Sequence, residues 1–229
     1  NRWSDAHGMG GQMTVESAVF MTVSSIDFNT CRISLHTTLK RELEPEVSSL
    51  GVGNACLVID APLDTACKGD DAGDGLHLES YARIKQLEDS IFQLIYAALP
   101  AELSSDSWFE AVMPFLRASL IDEGLLANGL ENFLAVLSAA SSRQLQCALI
   151  RCAEPWEVPE EALKALKFRT LYANLFGGEH LTLGMYAGLL DAVERWNPGL
   201  TTSWLDMKIH DSAQPILLLL GEPEGTASM

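Results

Sequence analysis

Carboxylates are the first residues in this chain that could do chemistry. In the stretch APLDTACKGDDAGDG at 61–75, Asp70, Asp74 and Gly75 fall at the first, fifth and sixth positions of a calcium loop, where carboxylates ring a hard cation. Position three is Ala72 and position twelve is Tyr81, so the main side-chain oxygens are missing and a solvated polar loop is the better reading. His77 and Glu79 form an HxE pair, the spacing by which zinc deaminases place a ligand and a proton shuttle. The matching Pro-Cys-x-x-Cys element does not occur, and Cys147 and Cys152 are wrongly separated for it, so no metal is expected. A GxSxG serine elbow is absent. Cys56 lies near Asp60 and His77 and could pair with the imidazole, although a buried strand cysteine is far commoner. LGVGN at 50–54 precedes a strand instead of joining a strand to a helix, which removes the dinucleotide reading, and there is no Walker sequence. Catalysis, if present, is expected to be that of a hydrolase or transferase with a site between Asp60 and Glu79.

What remains is surface. EPWEVPEE at 154–161 sets Glu154, Glu157, Glu160 and Glu161 around Trp156 in a proline-stiffened connection. An exposed tryptophan ringed by negative charge could anchor a basic, partly apolar partner. The alternative is that Trp156 tucks under the loop while the glutamates serve a helix dipole. Across the chain 31 acidic residues against 15 basic give a net −16, which would attract a basic partner but is more simply read as keeping the protein soluble. Residues 1–75 hold 5 basic and 11 acidic groups, residues 76–229 hold 10 and 20, so the excess is not confined to one tail. Such a surface repels phosphate backbones and anionic lipid, so neither nucleic acid nor membrane is an expected partner. The expected function is therefore that of a non-catalytic binding or assembly protein, whether chaperone, adaptor or toxin-neutralising inhibitor, that recognises a basic protein. Self-association stays open.

The chain is long enough to bury a core without staples, so stability calls for no cofactor. Five cysteines without CxxC spacing suit buried free thiols in a reducing compartment, and the longest clean apolar run, Ile216 to Leu220, is too short to span a bilayer. A cytoplasmic location is the expectation. The first residue is not methionine, so the chain could be processed or part of something longer.

The elements that would position these residues read as an α+β fold. Residues 1–17 form a glycine-rich flexible lead-in, and a single domain is expected over 18–220. Its strand-rich part is 18–60: AVFMTVSSI, a DFNT turn, then Cys31, Ile33, Leu35, Thr37 and Leu39 alternating with polar residues, and a third strand ACLVID, together a meander. The acidic loop 61–75 follows. Residues 76–197 are expected to be helical, organised on Tyr81 to Leu99, where Ile84, Leu87, Ile91, Leu94, Ile95 and Ala98 recur at helical steps. Ser107 and Glu110 have capping-box spacing, Pro114 predicts a kink or break, and 142–152 suits either a strand or a helix, its neighbours favouring helix. Pro159, Glu160 and Glu161 open what reads as a well-punctuated helix ending at Gly177-Gly178, and Gly184 and Gly188 leave a groove on the next. Strand texture returns over 204–220, first as Leu205, Met207 and Ile209 alternating with Asp206, Lys208 and His210, then as ILLLL, a run suited to burial on both faces. These last strands are expected to join the N-terminal sheet, with His36 and His210 exposed and 221–229 a tail.

Overall fold

The computed structural model describes residues 17–27, 30–39, 54–60, 78–98, 108–121, 129–212 and 214–225. Strand β1 (Ser17–Asp27) turns back into β2 (Thr30–Leu39), with Val23 opposite Ile33 and Met21 opposite Leu35. Alternation makes this hairpin: Val19, Met21, Val23, Cys31, Ile33 and Leu35 are buried on one face, and Arg32 is exposed on the other. Strand β3 (Asn54–Asp60) pairs antiparallel with β1 rather than β2, so the expected meander is corrected to the order β3-β1-β2.

The middle of the chain departs most from expectation. Helix α1 (Leu78–Leu87) ends at a turn in which the Ser90 N–H donates to the Leu87 carbonyl, and β4 (Ile91–Ala98) follows. The apolar residues of 84–98 satisfy a helical period, but Phe92 and Leu94 also satisfy a strand period, and pairing with β2 decides between them. Helices α2 (Trp108–Ile121) and α3 (Gly129–Ala139) lead to β5 (Gln144–Arg151), so 142–152 is strand where helix was favoured. Pro114 lies within α2, which runs through it as one helix. The long helix expected after Pro159 is only α4 (Glu160–Ala165), followed by β6 (Thr170–Gly177). A mainly helical middle is therefore wrong: 76–197 contributes three strands.

Helix α5 (Leu183–Trp196) begins with the Thr182 hydroxyl accepting from the Met185 N–H, an ordinary N-cap. It leads to β7 (Thr202–Ile209) and then β8 (Ile216–Gly221). All eight strands form one mixed sheet in the order β3-β1-β2-β4-β5-β8-β6-β7, with β4–β5 and β6–β7 parallel and the other neighbours antiparallel. The C-terminal strands thus do join the N-terminal ones, and β8 lies between β5 and β6.

Two cores explain the burial. One, under α1, α2 and α3, takes Leu145, Cys147, Tyr172, Phe176, Leu218 and Leu220; the other, under α4 and α5, takes Ala148, Leu171, Leu175, Leu217 and Leu219. Adjacent residues of β8 and β6 go to opposite cores, so both strands are buried on both faces and mostly apolar, Thr170 and Asn174 being the buried polar residues of β6. Burial also keeps the thiols protonated: Cys31 and Cys152 are each pushed up to about 12, and Cys147 is raised as well. Past β8, Glu222 is buried, Pro223 bridges to Phe168 and the Glu224 N–H donates to the Lys167 carbonyl.

Candidate functional site

The open end of the sheet at β7 carries the arrangement that most calls for a function. Among the described residues β7 pairs with β6 alone, in register from Thr170 opposite Thr202 to Gly177 opposite Ile209. Trp204, Asp206 and Lys208 lie on the face under α3, while Leu205 and Met207 pack towards α5. The strand follows from this alternation, but the polar face is not wet: Asp206 is 1% exposed and Lys208 2%. Helix α3 supplies the cover, lying against both β6 and β7.

Beneath α3 the polar groups gather. Lys208 Nζ stands 4.0 Å from Asp206 Oδ2, and Asp206 Oδ1 accepts from the Met207 backbone N–H at 2.8 Å. The Tyr172 hydroxyl donates to the Ser119 carbonyl at 2.9 Å, and its ring meets Phe133 edge-on at 5.5 Å. Burial raises the Tyr172 hydroxyl above its ordinary range; Asn174 and Ser119 oppose that shift and the charge of Asp206 adds to it. A cluster so well sealed admits no substrate. Its Tyr172 hydroxyl ties β6 to α2, while α3 lies over the Asp206 and Lys208 side of β7.

The outer edge of β7 is different. A natural edge strand usually carries exposed lysine, proline or a bulge that discourages further pairing. Here the only two charges of the strand are turned inward and buried, while Trp204 is 43% exposed and Ile209 64% exposed. Leu183, 69% exposed, opens α5, which links β6 to β7. Nothing in the sequence reading singled out Trp204; its signal is TSWL, four uncharged residues at the start of an outer strand.

The segment 154–161 lies across the second core. Trp156 is half-buried against that core, and Val158 approaches Gly188, where an added Cβ would lie 3.5 Å from its Cγ2. The groove left by Gly184 and Gly188 is thus partly occupied by Val158. Glu160 pairs with Arg195 at 3.3 Å and with Lys164 at 3.8 Å, and Glu161 pairs with Lys164 at 2.7 Å. Glu154 and Glu157 are exposed, and Glu157, Glu160 and Glu161 line an open cleft of about 690 Å3 with Arg151, Val158 and Pro159. These ion pairs are exposed and contribute little to stability.

Most other candidates lie outside the described residues. Asp70, Asp74, Gly75, His77 and the 61–75 loop are among them, as are Ser107 and the glycine-rich lead-in; Cys56 and Asp60 lie in β3 and Glu79 in α1. Among the described residues no three His, Cys, Asp or Glu side chains gather as metal ligands, and no helix is long and apolar enough to cross a membrane. His36 and His210 are not simply exposed: His36 hydrogen-bonds the Thr22 hydroxyl and stacks on Phe20, and His210 packs between Phe115 and Phe176.

No family model matches this chain, and no curated protein matches it. Solved structures similar to it include a tryptophan-to-tyrosine mutant of FtsZ from M. jannaschii, at 16% identity and a TM-score of 0.42, covering 63% of this chain and 49% of that one. An empty FtsZ dimer from the same organism gives 16% and 0.42, with 62% and 47% covered. CetZ from Methanosaeta thermophila gives 13% and 0.41, with 52% and 36% covered. This chain spans less than half of each, and no chemistry is carried over from so partial a likeness. These neighbours are FtsZ and CetZ proteins, however, and the expectation of a non-catalytic chaperone, adaptor or toxin inhibitor recognising a basic partner is corrected on that finding.

Proposed function

We propose that this chain is a self-associating module that assembles through the open edge of its sheet. One observation carries the reading: among the described residues β7 ends the sheet, with Trp204 and Ile209 exposed and both of its charges buried. An edge of that kind presents unpaired N–H and C=O groups beside apolar side chains, and burying it against another strand recovers both terms. Elsewhere a protein of net charge −16 repels its own copies, so association is favoured where the contact is neutral.

Static light scattering of Trp204→Lys beside the unaltered chain tests the reading. A lysine at the edge adds a charge and removes an exposed indole ring, and it is expected to weaken self-association at least about tenfold, some 1.4 kcal/mol. Equal association by both proteins would contradict the assignment.

A further inference from the structure

The backbone of β7 carries more detail than an open edge. The His210 N–H donates to the Gly177 carbonyl at 2.8 Å, and β6 and β7 run in one continuous register. Alternate residues of a strand turn their N–H and C=O to opposite sides. Even-numbered residues of β7 therefore address β6, while Ser203, Leu205, Met207 and Ile209 address the open edge. Met207 agrees, because its N–H goes to the Asp206 carboxylate at 2.8 Å and not to β6. That contact also closes the edge at Met207. An incoming strand finds outward groups open at Ser203 and Leu205 and then meets a donor already engaged by a carboxylate.

We infer that a second copy of this chain pairs antiparallel with β7 about a two-fold axis at Trp204, with the Asp206 carboxylate on the Met207 N–H as the stop that sets the register. This rests on the self-association proposed above and adds to it the occupant and its register. In this arrangement Ser203 and Leu205 of one copy exchange N–H···O bonds with Leu205 and Ser203 of the second copy. Trp204 faces Trp204 of the second copy at a non-hydrogen-bonded position, where opposed Cα atoms lie about 4.5 Å apart and side chains share a face. A register one pair further along, centred on Leu205, would set Ser203 against Met207 of the second copy and compete with Asp206 for its N–H.

Charge selects the occupant. Thr202 to Leu205 carry no charge, the Asp206 carboxylate is buried and already engaged by the Met207 N–H, and Lys208 is buried, so no exposed charge on the strand favours a basic or an acidic segment over an uncharged one such as β7 itself. The pairing segment is also its own complement: the outward groups of Ser203 and Leu205 lie symmetrically about Trp204, as a two-fold contact between like chains requires.

Amide hydrogen exchange on the full chain, followed residue by residue at low and high protein concentration beside its measured mass, tests this. The expected result is dimer formation with slower exchange at Ser203 and Leu205, at least about tenfold, and little change at Trp204, Met207 or Ile209. A dimer whose added protection falls elsewhere, or that extends equally to Met207 and Ile209, would overturn the register while leaving self-association standing. A chain that stays monomeric throughout would overturn both. A second variant removes dependence on exchange alone: with diamide as oxidant, Trp204→Cys should form a disulfide between copies that peptide mapping places at 204–204, whereas Ile209→Cys should not. Equal linkage by both variants would also overturn the register.

Discussion

Replacing Gly129 by alanine should destabilise the protein severely although it adds one methyl group. An added Cβ at the start of α3 would lie 2.0 Å from the Ser119 carbonyl oxygen and 3.1 Å from the Tyr172 hydroxyl. Those two atoms are themselves hydrogen-bonded at 2.9 Å. Ordinary contact with the carbonyl needs the backbones of α2 and α3 to separate by about 1.5 Å, and the obstacle is main chain that no rotamer change can move aside. Overpacking of this kind costs roughly 1–3 kcal/mol. Taking the carbonyl from a buried hydroxyl adds about 1–3 kcal/mol. A loss of roughly 2–6 kcal/mol is expected against a total stability of about 5–15 kcal/mol, which for a chain of this size lowers Tm by about 5–20 °C. Urea denaturation of the wild type, Gly129→Ala, Tyr172→Phe and the double variant separates the two contributions, because the hydrogen bond is lost only once. The double variant should therefore lose less than the sum of the singles. Gly129→Ala within about 0.5 kcal/mol of the wild type would refute the reasoning, since it would mean that the helices part at no cost.

Lys208→Met leaves Asp206 buried without its lysine and should cost roughly 3–5 kcal/mol in denaturant unfolding, although the shapes of the two side chains are similar. Glu222 concerns pH. Its burial raises the carboxyl pKa, but the Ser142 N–H at 2.7 Å and the Ser141 hydroxyl at 2.9 Å favour the ionised form, so its folded pKa falls below 4.5. A depressed carboxyl stabilises the fold fully above its unfolded pKa and loses that stabilisation as pH falls through the folded value. Glu222→Gln should therefore be about 1–2 kcal/mol less stable than wild type at pH 7, with the gap narrowing below about pH 4.5 in a pH series of unfolding curves. Buried and raised in pKa, Cys31, Cys147 and Cys152 should resist a disulfide reagent at pH 8 in the native protein and react once it is unfolded.

Elements with one wet face were legible because alternation survives there. Cys31, Ile33 and Leu35 point to the core while Arg32 is exposed, and the β1–β2 hairpin follows. Strands buried on both faces lose that signal. In β6 every residue is buried, and LYANLF followed by Gly177-Gly178 resembles a helix with its glycine stop as well as a strand with its turn. β4 was hidden for a related reason, since Ile91 and Leu94 continue the spacing of Ile84 and Leu87 across the break at Ser90. In β7 the alternation was read correctly, but its wet side was not. Asp206 and Lys208 are polar, yet α3 covers them, and the cover is a tertiary fact no local pattern records. The acidic tryptophan segment stood out by composition, whereas Trp204 depends on β7 being last in the sheet order, which follows from non-local pairing.

Self-association through β7 is tested most directly by sedimentation equilibrium of the unaltered chain over a wide concentration range, at moderate salt so that the net charge of −16 does not mask attraction. The weight-average mass should climb from 24.9 kDa towards twice that value as concentration rises. A mass that stays at the monomer value across the whole range would contradict it.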